Sequence, residues 1–296
     1  MTLRNHESSD FQGFLQCWSS SRRGRIRATT PVNAYDASGI NNAGEIVGRY
    51  YDSSGEHGFL KHGSKFTPLD VPGAFQPSTS PNGINNAGQI VGGYYSGPTN
   101  FDYQSFLTNG TKYVTFAVPL GVMGVATGIN DAGNIVGYDY DSAGHAHGFL
   151  KVGSSYTSFD VPFAVTTYVV GINNAGQIVG YYGSSTGVHC FLKDGSTYTS
   201  FDVPIAGSVR AYATGINDAG HIVGYYYDSA GIRHGFLKDG SRFISIDVPF
   251  AGVVETFIGG INDAGQIVGF YNFGHDPADR YAFLATPHGE TKHRRH

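Results

Sequence analysis

The chain has 296 residues, a formal net charge of -4, only 14% charged residues, 43 glycines and 20 residues each of Tyr and Phe. That charge leaves no basic footprint for nucleic acid, and no run of roughly 18 apolar residues is present to span a membrane. Cys17 and Cys190 do not make a disulfide framework, and Met1 to Asp10 lacks the apolar core of a secretory signal.

In chain order, the first patterned stretch is Gln12-Gly-Phe-Leu15, an echo of a motif met later, followed by an extended segment, Arg25 to Val32. Basic residues gather only at Arg22, Arg23, Arg25 and Arg27 and at Lys292 to His296, and read as solvated ends. Between them Gly-Ile-Asn recurs at Gly39, Gly83, Gly128, Gly171, Gly215 and Gly260, at intervals of 43 to 45 residues. Such regularity marks one supersecondary unit copied in tandem.

The fifth copy shows what the unit is. Ala213 to Asn217 is a short strand, and Asn217 to Gly220 a tight turn whose glycine accepts positive φ. Ile222 to Tyr227 is a second strand, Asp228 to Gly231 another turn, His234 to Lys238 a third strand and Phe243 to Val248 a fourth. Pro249, which has no amide to donate, stops the ladder. Four antiparallel strands in about 44 residues form the blade of a β-propeller. The sequence thus predicts an all-β, six-bladed β-propeller over residues 25-287, with an extension over 1-24 and a basic tail over 288-296. The sixth copy ends at Tyr281-Ala-Phe-Leu284 without a fourth strand, so Arg25 to Val32 is predicted to pair with Tyr281 to Ala285 and close the ring.

Tandem copies of G-I-N-[ND]-A-G-x-[IV]-V-G-x-Y followed by H-G-F-L resemble the bacterial extracellular repeats of the HAF family, over Gly39 to Leu284. That family's signature reads more like H-A-F-L-W. Here Ser105-Phe-Leu and Cys190-Phe-Leu depart from it, and Lys replaces Trp after Leu60, Leu150, Leu192 and Leu237. The resemblance implies an exported, extracellular or periplasmic propeller of unsettled function and transfers no catalytic residue. Without a signal in this chain, a cytoplasmic location stays open.

Four histidines, His57, His147, His189 and His234, share one repeat position, and each is followed thirteen residues later by an aspartate: Asp70, Asp160, Asp202 and Asp247. In the second copy both members are lost together, to Gln104 and Ala117, and the sixth has Tyr281 with no later partner. Joint loss favours a hydrogen bond between third and fourth strands, with the carboxylate buried, over a metal ring or a catalytic pair. It is similar to the His–Asp pairing of WD-repeat propellers. Asn41, Asn85, Asn130, Asn173, Asn217 and Asn262 read as turn formers bonding nearby backbone. Gly48 and its equivalents Gly92, Gly137, Gly180, Gly224 and Gly269 read as points of close backbone approach. Tyr pairs such as Tyr50-Tyr51 and Tyr181-Tyr182 put one ring of each between blades. The Asp-Ser-x-Gly stretches offer too few oxygens for calcium, and no phosphate loop, zinc helix or nucleophile elbow is present. No cofactor and no metal are expected.

The copies differ most in the connections after Pro72, Pro119, Pro162, Pro204 and Pro249, which would rim one mouth of the channel. Arg210 and Glu255, with Tyr168, Tyr212, Phe257 and Asp36, are the candidate ligand-binding set there: a charge pair above aromatic platforms suits a glycan or small molecule. The expected function is a non-catalytic, monomeric binding or scaffold propeller for a glycan, small molecule or protein. The alternative is a hydrolase or lyase at the same mouth, with Arg210 stabilising an anion and Glu255 or Asp36 as acid/base.

Overall fold

The structure, a computed structural model, describes residues 15–18, 34–99, 102–120, 123–274 and 280–287. Among them are six four-stranded antiparallel sheets, each joining its strands in simple sequential order apart from the one that also takes in the first strand of the chain. In the fifth copy the strands are Arg210–Ile216, Ile222–Tyr227, Arg233–Asp239 and Arg242–Ile246. Its Asn-Asp-Ala-Gly turn closes with Gly220 at φ 80°, the left-handed region where a side chain is resisted.

The inner strands are Ala34–Ile40, Ser80–Ile84, Gly124–Ile129, Thr166–Ile172, Arg210–Ile216 and Glu255–Ile261. Each packs against the next, and the last against the first. The molecule is a closed six-bladed β-propeller around a central channel, as the repeat predicts.

Apolar side chains from the second and third strands fill the space between blades. Phe59, Phe106, Phe149, Phe191, Phe236 and Phe283, one per blade, are fully buried, and each such ring contributes roughly 2 to 3 kcal/mol. The clusters cross blade boundaries: Val223 packs with Ile258, Ile267 and Phe283, and Val268 packs with Ile40, Ile46 and Phe59 across the closure. The Lys that stands where the HAF signature has Trp also works between blades. Lys193 lies over Phe159 of the preceding blade at 5.2 Å and over Tyr198 of its own at 5.6 Å.

Two glycine rings set how tightly the inner strands close. A Cβ on Gly83 would meet Gly128 Cα at 3.1 Å, and one on Gly260 would meet Gly39 Cα at 3.3 Å. A Cβ on Gly48 would fall 1.9 Å from the Asp36 carbonyl oxygen, because every inner strand bulges just before its Gly-Ile-Asn and turns that carbonyl inward. The close approach expected at the second glycine is therefore made with the inner strand of the same blade.

Ring closure corrects one expectation. The strand that pairs with Arg280–Ala285 is Leu15–Trp18, in antiparallel register from Leu15↔Ala285 to Trp18↔Ala282. It is the stretch directly after the Gln12-Gly-Phe echo, upstream of the expected domain start; Arg25 to Val32 lies outside the described residues. Leu-Gln-Cys-Trp carries neither charge nor proline. Arg25 to Val32 holds two arginines and Pro31, whose ring nitrogen cannot donate to a ladder.

Candidate functional site

The two ends of the channel are built differently. At the end where the inner strands run out, each Gly-Ile-Asn asparagine does two things. Asn41 Oδ1 accepts the backbone N–H groups of Ala43 (3.1 Å) and Glu45 (2.9 Å), the expected turn. Its Nδ2 donates to the Asn85 carbonyl at 3.1 Å. The same bond runs from Asn85 to Asn130, Asn130 to Asn173, Asn173 to Asn217, Asn217 to Asn262 and Asn262 back to Asn41, at 3.0 to 3.2 Å. A second circle lies outside it, with the backbone N–H of Asn42, Asn86, Asp131, Asn174, Asp218 and Asp263 each donating to the next side-chain oxygen at 2.8 to 2.9 Å. Burial works against the Asp131 carboxylate, but the Asn86 backbone and side chain and the Asn174 amide outweigh it and hold its pKa below the ordinary value. This end is sealed by a repeated hydrogen-bond ring, and the sequence reading missed it because it saw only the bonds inside one turn.

On the blade flanks, the His–Asp pairs form as expected. Nδ1 of His57, His147, His189 and His234 lies 3.1, 2.8, 2.9 and 3.0 Å from Asp70, Asp160, Asp202 and Asp247. Nε2 reaches the turn before the third strand, at Ser54 Oγ (2.9 Å) for His57 and Thr186 Oγ1 (2.9 Å) for His189. Three of the imidazoles lie against a tyrosine ring, Tyr50, Tyr182 or Tyr226. The carboxylates are not buried, however: Asp202 is 69% exposed. Each pair is thus a surface tie worth roughly 0 to 1 kcal/mol rather than the costly buried contact expected. In the second copy Tyr94 Oη donates to Gln104 instead, at 3.2 Å, and in the sixth Tyr281 stacks on Tyr271.

The other end is open and irregular. Here the inner strands begin, and the connections run alongside the ends of the second strands, with Val165 N–H bonded to Gly183 O and Val209 N–H to Tyr227 O. These connections present exposed apolar side chains, among them Phe75, Leu120, Phe163 and Val209. Beneath them lies a cavity of about 400 Å³ lined by, among others, Asp36, Arg49, Tyr138, Tyr181, Tyr225 and Arg233.

Cross-strand pairs, one per blade, supply much of that lining and the side chains behind it. The inner-strand residue three before each Gly-Ile-Asn faces the residue after each second glycine: Asp36↔Arg49, Ser80↔Gly93, Val125↔Tyr138, Tyr168↔Tyr181, Tyr212↔Tyr225 and Phe257↔Phe270. In the last three the rings stack at 4.7 to 4.9 Å. Edge contacts join Tyr138 to Tyr168 at 5.0 Å and Tyr181 to Tyr212 at 4.9 Å, and Tyr225 meets Phe257 at 4.8 Å. The result is an aromatic arc over four blades. Burial pushes the phenol pKa values of Tyr138, Tyr181 and Tyr225 up, so they remain neutral donors. Among the described residues none of these three hydroxyls has a hydrogen-bond partner, which leaves them to the cavity.

The remaining arc is charged. Asp36, nearly inaccessible, is gripped by Arg49 Nε and Arg280 Nη1, both at 3.0 Å to Oδ2, while its Oδ1 is buried without a partner. Arg49 Nη1 also reaches Glu56 at 3.3 Å, and Glu56 accepts from Tyr51 Oη and Ser80 Oγ. The second blade has Gly93 where the third to sixth carry a ring, and the half-buried Tyr103 ring occupies that space. Arg233 lies over Tyr225, Tyr227 and Phe257 at 5.3 to 5.7 Å and donates to Tyr227 Oη at 3.0 Å.

Of the sequence candidates, the structure places Asp36 and Phe257 on the cavity and Tyr168 and Tyr212 in the ring arc behind it. Arg210 and Glu255 are not brought together. Arg210 is exposed over the Tyr227 ring at 4.4 Å, and Glu255 accepts from Asn272 Nδ2 at 3.4 Å. Both begin their inner strands and stop at the rim. The residues missed are Arg49, Tyr138, Tyr181, Tyr225, Phe270, Arg233 and Arg280. The first five occupy one column, the position after the second glycine. That signal was in the sequence, but grouping tyrosines as adjacent pairs mixed two registers: Tyr50-Tyr51 starts two residues after its glycine and Tyr181-Tyr182 starts one after.

Fold and site together define a six-bladed propeller with one sealed and one open channel end. No family model matches the sequence, and no curated protein matches it. Solved structures do. AofleA from Arthrobotrys oligospora has TM-score 0.55 and 14% identity over 81% of this chain and 80% of that one. The fucose-specific lectin from Aleuria aurantia has TM-score 0.52 and 15% identity, over 87% and 97% of the two chains. Trypanosoma rangeli sialidase has TM-score 0.54 and 10% identity over 90% of this chain but 57% of its own. At such identities the likeness establishes the fold alone.

Proposed function

We propose that this chain is a non-catalytic, carbohydrate-binding propeller of the exported HAF-type repeat class, acting as a monomer, with its ligand in the open end of the channel. The observation that carries this reading is the set of three cavity-facing phenols, Tyr138, Tyr181 and Tyr225, whose hydroxyls have no partner among the described residues and whose rings are held by stacking at Tyr181 and Tyr225 and by edge contacts at Tyr138. Fixed donors on a rigid apolar wall suit a polyol, since little side-chain freedom is lost on binding. The fold likeness to a fucose-specific lectin points the same way. A hydrolase or lyase is less well served. Asp36, the one carboxylate among the described lining residues, is buried and held by two arginines, Glu56 behind it is held by Arg49, Tyr51 and Ser80, and Glu255 stands at the rim, which is poor placing for an acid/base group.

A glycan array probed with the intact protein tests the reading, followed by titration of the best sugar against Tyr181→Phe and Tyr225→Phe. Each substitution removes a hydroxyl and leaves the ring, and should weaken binding about tenfold with the thermal melt unchanged. Absence of any sugar binding, or turnover of a bound sugar, would overturn it.

A further inference from the structure

Among the described residues that line the cavity, the charges do not balance. Three guanidiniums, Arg49, Arg233 and Arg280, line the cavity, but one carboxylate, Asp36, lines it with them and one more, Glu56, stands behind Arg49. Arg49 and Arg280 are both spent on Asp36. Among the described residues Arg233 has no carboxylate: its polar partner is Tyr227 Oη, bonded to Nε at 3.3 Å and Nη2 at 3.0 Å, and Tyr225, Tyr227, Phe257 and Phe270 surround it at 5.3 to 6.0 Å. Aromatic faces hold a guanidinium in place and shield it from water without neutralising it. Arg280 repeats the theme. Its guanidinium lies 4.7 Å from the Phe270 ring, and its Nε is buried with no partner.

Resting on the carbohydrate reading, we infer that the sugar bound here carries a carboxylate, and that Arg233 receives it. A planar carboxylate matches the parallel N–H bonds that a guanidinium offers. One negative charge cancels the one positive charge left over between the three arginines and the two acids. The hydroxyls of Tyr181 and Tyr225 lie on the same cavity wall as Arg233 and would take the sugar's neutral oxygens. The ligand class is therefore an acidic sugar of the uronic type, seated with its acid toward Arg233 and its hydroxyls toward the phenols.

The test titrates the full chain with a galacturonate oligosaccharide, its methyl ester, the matching neutral galactose oligosaccharide and a sulfated galactose oligosaccharide. The acid should bind at least about tenfold tighter than the ester, a charge-assisted bond being worth that much, and should weaken as salt rises. Arg233→Gln should erase the preference for acid over ester, and Arg233→Lys should retain part of it. Equal binding of acid, ester and neutral sugar, with Arg233→Gln indifferent, overturns the inference while leaving the carbohydrate reading intact. Stronger binding of the sulfated sugar than of the galacturonate overturns the carboxylate assignment. Failure of every sugar to bind a folded protein removes both.

Discussion

The same six inner strands line both ends of the channel, yet their two halves follow opposite rules. Where they end, every copy presents Asn and makes the same bond to its neighbour. Where they begin, the paired positions run from Asp–Arg through Ser–Gly and Val–Tyr to Tyr–Tyr and Phe–Phe. A bond that runs from each copy to the next tolerates no exception, because one altered copy orphans a carbonyl next door. Side chains pointing into an open cavity have no such obligation and are free to diverge. Uniformity therefore marks the part that holds the ring, and divergence the part proposed to meet a ligand.

The largest expected effect comes from opening the ring. A chain starting at residue 34 loses the strand paired with Arg280–Ala285 and should unfold without a cooperative transition by calorimetry; an unchanged melt would show that closure does not depend on Leu15–Trp18. Next, Asn85→Ala removes a donor to Asn130 and an acceptor for two turn amides. It should cost about 2 to 3 kcal/mol in urea unfolding and leave ligand affinity unaltered. At the open end, Arg233→Gln should do the reverse, shifting stability by less than about 1 kcal/mol while changing binding. Equal stability losses at the two ends would break the contrast.

The smallest effect is on pH. The hydrogen bond that His147 donates to Asp160 raises the His147 pKa above its ordinary 6.5, against the pull of burial. A raised folded-state pKa gives stability that is complete below about 6.5 and is lost as pH climbs through the folded value. Denaturant midpoints should therefore drop slightly as pH rises past about 6.5, and His147→Gln, which copies Gln104 of the second blade, should flatten that slope. Asp139 works in the same direction: burial raises its pKa, so it favours the fold at acid pH and opposes it as the carboxyl ionises.

Most of the architecture was legible because it is written six times. Gly-Ile-Asn gave the copy number, turn glycines the strand limits, and the joint loss of His and Asp at Gln104 and Ala117 a contact across strands. What stayed hidden depends on distance between copies. Asn41 looks like any turn asparagine until Asn85 O is found 3.1 Å away. The exposure of Asp202 follows from its place after an outer strand, which pairing logic does not see. At the site, the column three before Gly-Ile-Asn puts Asp36 and Phe257 on the cavity, and its cross-strand partner was lost to a one-residue register error at Tyr50 and Tyr94. Arg233 and Arg280 belong to no repeated pattern, and only the folded ring brings them to the cavity.

The asparagine link from Asn262 to Asn41 joins copies with no covalent connector, yet at 3.0 Å it equals the five that have one. As far as the sealed end is concerned, the polypeptide has no privileged starting point. A circularly permuted gene beginning at any other copy would specify the same sealed end.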